Sequence, residues 1–232
     1  VSALILCILI VLFPISGLCS PPISAQALRV IASKHEIHVQ ATAHPDQFQG
    51  PTTKKTHAMA YHLLVWDRGR AASSALFTTA VSDGALHDAL LQLGASPGNA
   101  LNIETWDQRH NPNHSAPDQH VTGTPIDIDI LWPDGVSAQP ISELLTDPGG
   151  RGFDFRFGGH LANQAAWHSG CGVCLYSCPG GKISNAAYTV RDFVEKDTHF
   201  RLRPDVPLKD NTRVTLIFRI KKTGSAIPTG EK

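Results

Sequence analysis

The sequence predicts a β-rich α+β domain with mixed or antiparallel sheets and one or two helices packed on a face. Three observations support this: several segments alternate apolar and polar residues, a single segment has clear helical spacing, and no regular strand–helix alternation runs along the chain. The last of these argues against a doubly wound sheet.

The elements are read in chain order. Leu28, Val30 and Ala32 alternate, and Ile37 and Val39 continue with period two after Lys34-His35. His57 to Trp66 (HAMAYHLLVW) is an apolar run of strand length. Ser82-Asp83 can cap a helix with Leu86, Leu90 and Leu93 on one face, and Gly94 ends it. Ile126, Ile128 and Ile130 alternate with Asp127 and Asp129, and Pro133-Asp134-Gly135 supplies a turn. Ile141 to Leu145 predicts a second, short helix. Phe153, Phe155 and Phe157 alternate with Asp154 and Arg156, as the two faces of a strand. Val214, Leu216, Phe218 and Ile220 give the clearest half-buried strand. Asp210-Asn211 just before it is turn chemistry, so residues 199–203 and 213–220 are expected to pair as a hairpin.

Residues 1–27 read as a signal peptide. Val1 to Leu18 is almost uncharged and apolar, and Ala25-Gln26-Ala27 has the small-x-small form of a cleavage site. With no basic segment ahead of it, this N-terminus is read as incomplete. The alternative is an uncleaved anchor, which would be the only link to a membrane. The expected location is periplasmic or extracellular. Residues 28–222 form one domain, ordinary in length for a single core, and 223–232 are a flexible tail. Lys plus Arg and Asp plus Glu are equal at 20 each. That balance excludes the basic footprint of a nucleic-acid binder.

The sequence has five cysteines, and the three beyond the leader fall within HSGCGVCLYSCPGG as Cys171, Cys174 and Cys178. This Cys-x2-Cys-x3-Cys-Pro spacing supports three readings. Thiolates suit zinc, copper(I) or iron–sulfur, and a tight loop can present two sulfurs to one metal, with His168 as a fourth ligand. A dithiol–disulfide pair of Cys171 and Cys174, with Cys178 as a resolving or attacking thiol, is the redox reading. A non-enzymatic binding domain, with a structural disulfide and one buried free cysteine, is the third. The metal or electron-transfer reading leads, and it implies a redox or metal-delivery partner. No catalytic residue is identified.

The other polar features read more plainly. His35 and His38 lie in or beside a strand, where a solvated position is expected. His110, His114 and His120 share the polar stretch Asp107–Gly123, read as an exposed loop. His160, in FGGHLANQAAWH, is a candidate ligand or a support for the cysteine loop. Asp127 and Asp129 read as the wet face of their strand. Asp147-Pro148-Gly149-Gly150-Arg151-Gly152 lacks the Lys-Ser/Thr of a phosphate loop.

HDALLQLGASPGNA and WHSGCGVCLYSCPGGKISNAAYTVRDF resemble the YdjY-domain family of bacterial exported proteins, the second stretch matching a cysteine-containing subset. The resemblance covers roughly residues 30–220. It implies an iron–sulfur label carried by some members, which would fall on Cys171, Cys174 and Cys178, and no catalytic residue.

Overall fold

The computed structural model describes residues 27–49, 61–98, 101, 103–108, 111, 113, 118–147, 149–195 and 200–221. Residues 1–26 of the leader, the tail, His110, His114 and the start of the apolar run at His57 lie outside the described residues.

Strand β1 (Leu28–Ile31) folds back on β2 (Glu36–Ala43) through a short 3-10 turn and His35, whose φ is 53°. Helix α1 (Pro45–Gln49) follows, then β3 (His62–Trp66) and β4 (Ala75–Thr79). Helix α2 (Asp83–Gln92) begins where the Ser82 side chain accepts from the Ala85 N–H at 3.1 Å, and it ends at Gly94, at a φ of 84°. Then come α3 (Ile103–Asp107), β5 (Ile126–Leu131), β6 (Ala138–Pro140) and β7 (Leu145–Thr146). Residues 141–144 are a 3-10 turn where the sequence predicts a short helix. The chain continues through β8 (Phe155–Phe157), α4 (Leu161–Trp167), β9 (Cys171–Cys174), β10 (Ile183–Asn185), α5 (Val190–Glu195), β11 (Arg201–Leu202) and β12 (Arg213–Ile220).

The expected α+β class holds: among the described residues, ten strands form one mixed sheet in the order β6-β5-β12-β2-β4-β3-β9-β10-β8, with β1 added beside β2. Most pairs are antiparallel, while β3–β4 and β9–β10 are parallel. Helices are more numerous than expected, because α1, α3, α4 and α5 are too short to leave a periodic signal. Helix α2 lays Leu86 and Leu90 into the core.

Period-two patterns translate directly into burial. Ile126, Ile128 and Ile130 face the core, while Asp127 and Asp129 turn outward, as expected for a strand with one wet face. There Lys221 pairs with Asp127 at 2.9 Å, and Arg219 bridges Asp129 and Glu36. Strand β3 instead has Leu63, Leu64 and Val65 all buried, because it sits mid-sheet with both faces covered.

One expected pairing is wrong. The described part of 199–203, residues 200–203, does not form a hairpin with 213–220: β11 pairs with β7 in a separate two-stranded sheet, and both edges of β12 are occupied by β2 and β5. Pro204 and Pro207 break the chain between them, since proline donates no ladder hydrogen bond. The turn at Asp210-Asn211 is real, with Asn211 at a φ of 63°, but it delivers β12 to β2.

Candidate metal centre

The parallel pair β9–β10 is joined by residues 175–182, and that short return carries Cys178 between Cys174 and Gly180-Gly181. Cys171 and Cys174 open and close β9. Residues three apart on a regular strand point to opposite faces. Here the ladder with β3 is irregular: His62 faces Cys174, Leu64 faces Val173 and Val65 faces Cys171. Leu63 on β3 and Gly172 on β9 are each left without a facing partner, so the regular alternation is broken between Cys174 and Cys171.

The three sulfurs make one buried cluster, with Cys171 at 1%, Cys174 at 0% and Cys178 at 6% exposure. All three are free thiols. Cys174 is hydrogen-bonded to both others, and burial together with those bonds holds its thiol well above the ordinary range. Burial also pushes Cys171 up. Cys178 goes the other way: the bond from Cys174 favours its thiolate, as do the Gly180 and Gly181 backbone groups. The Gly180 N–H reaches Cys178 Sγ at 3.3 Å. The loop closes so tightly that a Cβ on Gly181 would stand 3.1 Å from Cys174 Sγ.

The sequence reading missed the imidazole that joins them. His62, Cys171 and Cys174 place one donor atom each within 4.8 Å of one another, all buried, a group that could hold a metal ion. Burial lowers the His62 pKa to about 4, so the ring is neutral near pH 7. Its tautomer follows from its neighbours. The Ser74 hydroxyl donates to Ala71 O at 3.1 Å, and so accepts from His62 Nδ1–H at 2.8 Å. Nε2 therefore keeps its lone pair, the arrangement a metal-ligating histidine needs.

His168 is not in that group. It is exposed at the C-terminal end of α4, in a left-handed conformation with a φ of 50°, and its carbonyl accepts from Arg70 N. His160 is buried, and its Nδ1 donates to Gly181 O at 3.0 Å, so it braces the cysteine return. His120 reaches Ala186 O at 2.6 Å, His35 is exposed, and His38 pairs with Glu36 at 2.9 Å. Gln164 of α4, also missed, donates from one amide nitrogen to Cys171 O at 2.8 Å and Gly180 O at 2.6 Å. Lys182 is buried beside Asp83 at 3.7 Å, and desolvation lowers its pKa.

The YdjY domain family matches residues 28–219. The chain belongs to the YdjY-domain family. It is similar to the "Uncharacterized protein YdjY" of Escherichia coli (strain K12), at 31% identity over 199 residues, covering 85% of this chain and 80% of that protein. No solved structure matches. The matched span contains His62, Cys171 and Cys174, and also Cys178.

Proposed function

We propose that this YdjY-domain protein is an exported metal–thiolate protein whose buried centre takes one soft ion, zinc or copper(I), on His62, Cys171 and Cys174, with Cys178 as the fourth donor. The convergence of a neutral imidazole and two thiols within 4.8 Å carries the reading. Sulfurs about 2.3 Å from a shared tetrahedral ion stand about 3.8 Å apart, which this spacing accommodates. The ligands of an iron–sulfur cubane bind separate irons and stand further apart, so the geometry favours a single ion. Export is supported by the apolar run to Leu18 and the small residues at Ala25-Gln26-Ala27. A centre so enclosed suits metal retention or electron transfer to a docked redox or metal-delivery partner, and does not suit turnover of a diffusible substrate.

The thiol–disulfide reading rests on the hydrogen bond between Cys174 and the thiolate-favoured Cys178. Exchange with another protein requires an accessible sulfur, and enclosure of all three counts against it. Metal analysis of anaerobically purified protein separates the two readings. One ion per chain, lost in Cys174→Ser, supports the centre. A metal-free protein with a reversible two-electron thiol couple overturns it.

A further inference from the structure

A second group of buried polar side chains lies beside the thiol centre. The first turn of α2, helix α4, Trp66, Arg68 and Lys182 line a cleft of about 490 Å³, a volume that suits a small molecule. Lys182 is 1% exposed, and among the described residues its ammonium has one ion-pair partner, Asp83 at 3.7 Å, for three N–H donors. Gln164 is 4% exposed and lines the same cleft. Its Nε2 donates to two carbonyls, which fixes the orientation of the amide, and its Oε1 has no partner among the described residues. At the N-terminus of the 10-residue helix α2, the Ser82 side chain takes the Ala85 N–H, and those of Asp83 and Gly84 have no acceptor within the helix. A Cβ on Gly84 would meet only Ser82 Oγ within 4 Å, so the space above this turn is open.

Charge and shape define what the cleft can take. Of the fixed charges lining it, Lys182 and Arg68 outnumber the one carboxylate, Asp83, so the cleft is short of one negative charge. The positive end of the α2 dipole adds to that preference. Trp66, Leu161 and Ala165 supply apolar walls. Gln164 Oε1 accepts and cannot donate, so it calls for a hydroxyl or an N–H. A buried ion pair accounts for Lys182 beside Asp83. It does not account for the second cation, the open helix end or a buried acceptor left without a donor.

We propose that this cleft binds a small monocarboxylate with an apolar body and a hydroxyl or amino group beside the carboxylate. The carboxylate lies between Lys182, Arg68 and the first turn of α2, and the apolar body lies against Trp66 and Leu161. The neighbouring hydroxyl or amine donates to Gln164 Oε1. Binding is reversible, and no covalent bond forms or breaks. Gln164 Nε2 and the Lys182 N–H both donate to Cys171 O, so the cleft borders the thiol centre. It uses no thiol and no His62, so the site stands independently of bound metal.

Isothermal titration calorimetry on the full chain tests this with three probes. Phenyllactate has all the features, phenylpropionate lacks the hydroxyl, and phenylpropanediol has a hydroxymethyl group in place of the carboxylate. Phenyllactate should bind one molecule per chain, about tenfold more tightly than phenylpropionate, and the diol should give no signal. Arg68→Ala, an exposed position, should weaken phenyllactate by about tenfold. Gln164→Leu should erase its advantage over phenylpropionate. Lys182→Met combined with Asp83→Asn removes the ion pair without stranding a buried charge, and should abolish binding. Urea unfolding checks that each variant is folded, and Arg68→Ala and Gln164→Leu decide the matter if the paired variant is not. Absence of binding by either acid at millimolar concentration overturns the site. So does diol binding as tight as that of phenyllactate, or parental affinity in Arg68→Ala.

Discussion

His62 stands directly across the β3–β9 ladder from Cys174, and this cross-strand pair brings the imidazole to the thiols. Facing residues of an antiparallel pair have Cβ atoms about 5 Å apart, close enough for one ion to bridge their side chains. His168 is near the cysteines in sequence but leaves from the exposed end of α4. His62→Ala is therefore expected to lower the affinity for zinc or copper(I) by at least about tenfold, while His168→Ala leaves it unchanged. Competition titration against a chromophoric chelator measures both, and equal effects of the two substitutions would remove His62 from the site.

The same histidine sets an acid limit on the metal-free protein. Its pKa is about 4 in the fold, against 6.5 for the free side chain. At pH values above 6.5 the ring is neutral folded or unfolded, and it costs nothing. As pH falls from 6.5 towards 4, the unfolded chain takes up a proton that the folded chain refuses, and stability is lost. The difference corresponds to about 3 kcal/mol across that window. His62→Asn keeps a donor for Ser74 and cannot titrate in this range. Urea unfolding from pH 7 to 4 should show a slope in the parent protein that this variant flattens.

The sequence carries some of these features locally and hides others. Ile126 to Ile130 report their burial in their own alternation, Val214, Leu216 and Phe218 do so although Ile217 on the other face is buried as well, and Ser82 with Gly94 marks both ends of α2. The cysteine cluster is visible because its members are neighbours in the chain. His62 is not, since it joins only through the pairing of two strands distant in sequence, and its own run, HLLVW, reads as plain core. A histidine inside an otherwise apolar strand run is the one signal the sequence offers. Gln164 is hidden for another reason: it is the buried residue of a short helix whose other positions lack a clear apolar face. The mistaken hairpin shows the same limit, because the turn at Asn211 was local and correct while the partner strand was remote.

Gly181 tests how tightly the return must fold. A methyl group there would stand 2.9 Å from Ser184 Oγ and 3.1 Å from Cys174 Sγ. Ser184 accepts from Cys178 N and donates to Cys178 O, so its displacement loosens the loop at Cys178. Gly181→Ala is expected to cost about 1–3 kcal/mol and to raise the rate at which a thiol reagent modifies the native protein. Denaturant unfolding and timed thiol counting read the two effects, and a variant with parental stability and thiol protection would contradict this packing.

Gln164 ties the two ends of the cysteine segment together through the carbonyls of Cys171 and Gly180. Among the described residues its Oε1 is buried without a partner, a cost that an apolar side chain would avoid. Gln164→Leu fills similar space and relieves that cost, but it removes both donations. Ser169 still reaches Gly180 O, at 3.2 Å, and the Lys182 N–H still reaches Cys171 O, also at 3.2 Å, so neither carbonyl is wholly abandoned. The loss is accordingly placed at about 1–3 kcal/mol, below that of two orphaned carbonyls. The decisive comparison is local: amide exchange should quicken at Gly180 and Gly181 in Gln164→Leu while β5 and β12 keep parental protection. Uniform exchange across both regions would mean that the amide contributes to global stability and does not specifically hold the thiol loop.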